Sequence, residues 1–138
     1  MWHVLSGPGE RTGPAERLGR VFRGYSRPRW GSTLGKIGNC QVAANLTIAT
    51  RTEHLPVDFA LYLPQSWTDN RARRAEAHIP DEVTFKTKPE LGLEMIERAV
   101  ADGLPAGLVL ADSAYGDNTE FRRRVRCEGL DYAVGLHS

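Results

Sequence analysis

The run Leu108-Val109-Leu110-Ala111-Asp112-Ser113-Ala114-Tyr115-Gly116-Asp117 joins four apolar residues directly to an aspartate. Four apolar residues between Gly107 and Asp112 predict a buried strand. A strand that delivers a carboxylate at its C-terminal tip is how open α/β sheets present chemical groups. Tyr115 and Gly116 are turn and packing residues in this reading, and Asp117 is placed to cap the next helix. Asn118 or Thr119 then caps a helix over 120–127, which Gly129 ends, and residues 132–136 form a final strand.

Upstream lie the strongest helix signals in the chain. Thr87 is an N-cap, Pro89 falls in the first turn, and Glu90 has the spacing of a capping box. Leu91, Leu93, Met95, Ile96, Ala99 and Val100 make an apolar face, with Glu94, Glu97 and Arg98 outside it. Gly103 suits the residue after the helix, and Pro105 prevents continuation. Further back, Asp69 or Asn70 caps a short helix through Ala77, closed by Pro80. Residues 57–63 alternate as a half-buried strand, and the mostly apolar run from Val42 to Thr50 reads as another. The polar residues 51–54 between them predict an antiparallel hairpin. The order β-β-α-β-α-β gives an α/β fold, a mixed sheet in which an antiparallel hairpin is followed by βαβ-type units.

Residues 1–31 differ from this pattern. Gly7, Pro8, Gly9, Gly13, Pro14, Gly19, Gly24, Pro28 and Gly31 interrupt an arginine-rich stretch, so it is expected to be irregular or disordered. A short helix over 15–22 would place Leu18, Val21 and Phe22 on one face. The organisation expected is therefore an irregular segment, 1–31, and a folded portion, 32–138.

At 138 residues the chain has room for one small domain. A net charge of +1 excludes a polycation, although the arginines are clustered. Cys40 and Cys127 stand far apart, with no metal-ligand spacing around them, and free thiols suit a reducing compartment. No window approaches the roughly 18 apolar residues that a membrane span needs, and no secretory signal opens the chain. A cytoplasmic protein without a membrane partner is expected.

Asp112 is the candidate catalytic and metal-binding residue, because a carboxylate is a hard oxygen ligand for Mg²⁺ or Mn²⁺. Phosphodiester chemistry commonly uses two such ions, and one carboxylate cannot hold both. The alternative is that Asp112 only caps the turn after its strand. Trp67 either stacks on an unpaired base or packs its loop. Arg71, Arg73 and Arg74 after it, Lys86 and Lys88 beside a helix start, and Arg122 and Arg123 in a third cluster are candidate phosphate contacts. For each of these, a solvated surface is the alternative. His3, His54, His78 and His137 are isolated, and no catalytic role is expected for them. No GxSxG elbow, P-loop or GxGxxG occurs.

Leu34-Gly-Lys-Ile-Gly-Asn-Cys-Gln-Val42, Leu61-Tyr-Leu-Pro-Gln-Ser-Trp-Thr-Asp69, Thr87-Lys-Pro-Glu-Leu91 and Ala111-Asp112-Ser-Ala-Tyr-Gly116, taken in order, resemble bacterial DDE-type insertion-sequence transposases. The resemblance runs from about Ser32 to Leu136. It implies an RNase H-like fold and Mg²⁺- or Mn²⁺-dependent cleavage and joining of DNA by three carboxylates. Asp112 matches the second, at the tip of the fourth sheet strand. The first is expected on a central strand before Gly35, yet residues 1–31 contain no aspartate. The third, a glutamate, is expected beyond residue 138. The implied partners are DNA, as transposon ends and target, and an intact transposase. The resemblance implies a truncated, incomplete catalytic domain, inactive alone. The change in composition near Gly31 leads us to expect a shifted reading frame upstream of it. A missing central strand would also leave its neighbours unpaired and the fold weak, at on the order of 1–3 kcal/mol per buried orphan group. The alternative function is a non-catalytic α/β module that binds DNA or interferes with a transposase.

Overall fold

The computed structural model of the protein describes residues 2–8, 27–31, 36–40, 42–50, 53–105 and 107–137. In chain order they form β1 (Trp2–Pro8), β2 (Arg27–Gly31), β3 (Lys36–Cys40), β4 (Val42–Ala49), β5 (His54–Leu61), α1 (Gln65–Thr68), α2 (Arg71–Glu76), α3 (Lys88–Ala101), β6 (Leu108–Ala111), α4 (Ser113–Gly116), α5 (Thr119–Cys127) and β7 (Asp131–Val134). They divide into two compact units. One comprises Met1–Ser6, Ala44–Ala60 and Thr87–Ser138, and the other Gly7–Ala43 and Leu61–Lys86.

The first unit is built on a five-stranded sheet of order β5-β4-β1-β6-β7. β1 runs parallel to β6, with Trp2 opposite Val109 and Val4 opposite Ala111. β6 runs parallel to β7, with Leu108 opposite Asp131 and Ala111 opposite Val134. β4 and β5 are sheet neighbours joined through residues 50–53, far too few for a parallel crossover. At the turn, the Thr50 N–H donates to the Glu53 carbonyl at 2.8 Å. Beyond the other end, the Tyr62 N–H donates to the Val42 carbonyl at 2.8 Å. The hairpin and one βαβ-type unit, β6 to β7 through α5, are thus present, and the molecule is a mixed α/β protein.

The central place in this sheet is filled, contrary to the expectation that it would be missing. β1 occupies it, so β4 and β6 have a strand between them. Trp2-His3-Val4-Leu5 precedes the first glycine, and Gly7 and Pro8 fall at the strand's end, where a lost ladder donor matters least. Residues 27–31, also expected to be irregular, form β2. Pro28 is tolerated there because β2 and β3 make an isolated two-stranded antiparallel ribbon in which both strands are edges. The helix expected over 15–22 lies outside the described residues.

α3 follows its local signals closely. Thr87 Oγ1 accepts from the Glu90 N–H at 3.4 Å, and the Thr87 N–H donates to Glu90 Oε2 at 2.6 Å, completing the capping box. Leu91, Leu93, Met95, Ile96 and Ala99 are buried. Gly103 has φ of +72°, a conformation costly for other residues, and Leu104 N–H donates back to the Ala99 carbonyl at 3.0 Å. α3 lies against α4 and α5, and α5 against β7. On α5, Phe121 and Val125 are fully buried, and the Phe121 ring meets Tyr115 with centroids 5.6 Å apart. Ala44 and Leu46, two apart on β4, are buried on one face of the sheet, and Val109 is buried on β6.

The second unit holds the β2–β3 ribbon, α1 and α2. Leu63, Trp67 and Ala77 form its buried cluster, with Leu61, Ile79 and Val83 packed against it. Asn70 caps α2, accepting from the Arg73 N–H at 3.0 Å. The ends of two strands differ from the sequence expectation. β5 covers 54–61 rather than 57–63, and β7 covers 131–134 rather than 132–136. Alternation marks which residues are half-buried, not where the ladder stops.

Candidate functional site

Asp112 directly follows β6, and its side chain is exposed. Its Oδ1 accepts from the Ala114 N–H at 2.9 Å, so the carboxylate caps α4. β6 lies between β1 and β7, which places Asp112 at the C-terminal edge of three parallel strands.

The α4 turn backs closely onto the end of β7. A Cβ on Gly116 would lie 1.9 Å from the Gly135 carbonyl oxygen, and one on Gly135 would lie 3.0 Å from the Ser113 nitrogen. Only two glycines allow this approach of backbone to backbone. The Gly135 N–H extends the β6–β7 pairing by donating to the Ala111 carbonyl at 3.0 Å. The main chain that carries Asp112 is therefore held from both sides.

A side-chain chain closes the same edge. Asp117 Oδ1 accepts from the His137 N–H at 3.0 Å, Asp117 Oδ2 meets His137 Nδ1, and His137 Nε2 lies 3.3 Å from Ser113 Oγ. The His137 ring and then its backbone N–H hold the Asp117 carboxyl below the usual carboxylate range, with the Arg122 charge adding to the effect. The sequence reading gave Asp117 a capping role, but Asn118 caps α5, accepting from the Phe121 N–H at 2.9 Å. Asp117 instead ties down residue 137. Twenty residues separate these partners, and no local signal in the sequence marks their contact.

The candidate DNA contacts divide between the two units. Trp67 is only 3% exposed, and the Arg73 guanidinium sits 4.3 Å from its ring centroid. Its indole face is therefore not open to a base, which corrects the stacking expectation: Trp67 packs its loop. Arg74 donates to the Thr68 carbonyl at 3.2 Å and to the Pro80 carbonyl at 2.6 Å, bridging across α2. Arg71 is exposed and Lys86 half-buried, and Lys88, in the first unit, is half-buried too. In the first unit, Arg122 bonds the Gly116 carbonyl and Thr119 Oγ1. Arg123 grips both Glu120 oxygens at 2.8 and 2.6 Å, which keeps the Glu120 carboxyl below its ordinary value and pushes the Arg123 guanidinium higher still. Arg124 pairs with Glu97. Arg126 pairs with Asp131 at 3.1 Å and lies 5.3 Å from the Tyr132 ring centroid. Arg122, Arg123 and Arg126 come together with Thr119, Cys127 and Tyr132 along an open groove of about 430 Å³.

The described residues do not bring together a two-metal centre. Among the described residues, no group of three or more His, Cys, Asp or Glu is placed to hold a metal ion. The strand beside β6 reads Trp2-His3-Val4-Leu5-Ser6-Gly7-Pro8 and brings no acid to Asp112. Among the described residues, no helix is long and apolar enough to cross a membrane.

No curated protein and no solved structure matches this chain. The family model described as DDE superfamily endonuclease matches residues 16–138, a span that holds Asp112 and the whole of the turn and groove around it. This chain belongs to the DDE superfamily of endonucleases, a membership that implies a DNA substrate.

Proposed function

We propose that the sheet holding β1 and β6 belongs to an RNase H-like catalytic domain of a bacterial insertion-sequence transposase, whose reaction is divalent-metal-dependent cleavage and joining of DNA. The observation that carries this reading is the position of Asp112. With the β2–β3 ribbon set aside, β6 is the fourth sheet strand in chain order, and Asp112 stands at its tip next to the central strand. That is the place the resemblance assigns to the second carboxylate of the triad. The family match supports the endonuclease class of this reading.

This chain alone does not cleave DNA in our reading. A two-metal phosphodiester mechanism needs carboxylates from more than one element, and β1 supplies none. Among the described residues, Mg²⁺ or Mn²⁺ would meet Asp112 as a single protein ligand, one oxygen of which already caps α4. The test is nicking of supercoiled DNA by the full chain with Mg²⁺ or Mn²⁺, beside Asp112→Asn. The expected result is no nicking by either protein. Nicking lost in Asp112→Asn would show that the site is complete without an acid on β1. Nicking that persists in Asp112→Asn would remove Asp112 from the chemistry.

The N-cap bond of Asp112 favours one second reading, a module that contacts transposon ends or an intact transposase without catalysis. That reading expects DNA binding insensitive to Asp112→Asn and to chelation of divalent metals.

A further inference from the structure

α5 has two different sides. Phe121 and Val125 are buried, and Arg124 pairs with Glu97 of α3. Thr119, Arg122, Arg123, Arg126 and Cys127 face outward instead, and with Tyr132 they line the open groove. We propose that this groove holds the sugar–phosphate backbone of a DNA strand, with Arg122, Arg123 and Arg126 on its phosphates. The proposal rests on the DNA reading above and gives it a strand-holding surface.

Three observations carry it. Arg122 hydrogen-bonds two neutral oxygens, Gly116 O and Thr119 Oγ1, and its charge also acts on the Asp117 carboxylate, so it can join a phosphate without giving up a carboxylate hydrogen bond. The side chains of Arg123 and Arg126 are 61% and 63% exposed within their ion pairs. Exposed pairs of this kind are worth about 0–1 kcal/mol, so a phosphate oxygen can share or displace the carboxylate. The groove is also continuous with the candidate site, because Arg122 is tied to Gly116 on the turn that Asp112 begins. A strand lying along α5 is thereby directed to the tip of β6.

The test is binding of a fluorescein-labelled DNA duplex by the full chain, followed from about 50 to 200 mM salt. Each phosphate contact contributes about 0.9 to the log–log salt slope. Arg123→Gln/Arg126→Gln, which leaves the Arg122 tether intact, is expected to weaken binding about tenfold and to flatten the slope by nearly two contacts. Arg123→Lys/Arg126→Lys is expected to keep most of that slope, which separates lost charge from lost fold. Arg71→Gln in the other unit is expected to change affinity less than about twofold. The proposal is overturned if the double glutamine variant binds as the wild type does, or if the wild type binds no DNA at the lowest salt. It is also overturned if inorganic phosphate at equal concentration competes as well as unlabelled duplex, because the site would then take single phosphates. The two readings fail separately. Nicking that survives Asp112→Asn leaves the groove's binding standing, and unchanged binding by the groove variant leaves Asp112 in place.

Discussion

Two arginine-rich segments of this chain look alike in sequence and behave differently in the fold. Arg71-Ala-Arg-Arg74 follows a tryptophan and a helix cap, and Arg122-Arg-Arg-Val-Arg126 follows another cap. In the first, the arginines build structure: Arg74 joins two loop carbonyls, and Arg73 covers the buried Trp67. In the second, the burial is done by Phe121 and Val125, and the guanidiniums of Arg122, Arg123 and Arg126 line a groove. A guanidinium becomes part of the fold when a neighbouring apolar group and unpaired carbonyls need cover. It remains largely at the surface when apolar residues of its own helix already fill the interior.

The largest effect that tests this contrast is at Trp67. Trp67→Ala removes the main buried side chain of the second unit and is expected to cost about 3–5 kcal/mol, read as a lower denaturant midpoint. A change under about 1 kcal/mol would mean that Trp67 is a surface residue after all. Gly116→Ala comes next, because its Cβ would overlap the Gly135 carbonyl. Overpacking against rigid backbone predicts a loss of about 3 kcal/mol, measurable by thermal melting. The arginines then compare directly. Arg74→Ala is expected to cost about 2 kcal/mol through two charge-assisted hydrogen bonds, whereas Arg123→Ala is expected to stay within about 0.5 kcal/mol. Equal losses at both positions would erase the distinction.

The smallest effect is electrostatic. The Asp117 carboxyl is held below its ordinary value of 3.8, first by its bond to the His137 ring. A depressed native value means that the unfolded state binds the proton more readily. This contribution to stability is therefore full above the unfolded value and is lost as pH falls through the folded one. The Tm difference between wild type and Asp117→Asn is expected to be present at about pH 6 and to close below about pH 4. A difference that grew on acidification would contradict the assigned cause.

Which parts were legible follows from how local their signals are. α3 was readable to its caps because Thr87, Glu90 and Gly103 act within a turn of the helix they end. Asp112 was readable as a strand terminus for the same reason. β1 was not, since its partners on β6 lie more than a hundred residues away and Gly7 and Pro8 obscured a strand that ends on them. Trp67 illustrates a different limit. Its identity is compatible with a stacking platform or a packed core, and only Arg73 and the neighbouring Leu63 and Ala77 decide between them. The link from Ser113 through His137 to Asp117 is tertiary and has no sequence signature.

In the proposed reading, Asp112 stands beside a central strand at the place of a triad carboxylate, and β1 brings it no acidic partner. Val4 pairs with Ala111, and continuing that parallel register by one residue brings Leu5 level with Asp112. The most direct measurement is Mn²⁺ binding, followed by electron paramagnetic resonance, for the full chain, Leu5→Asp and Leu5→Asp/Asp112→Asn. Leu5→Asp is expected to bind Mn²⁺ at least about tenfold more tightly than wild type, and Asp112→Asn to remove the gain. A Leu5→Asp protein that folds and binds Mn²⁺ no better than wild type would contradict it.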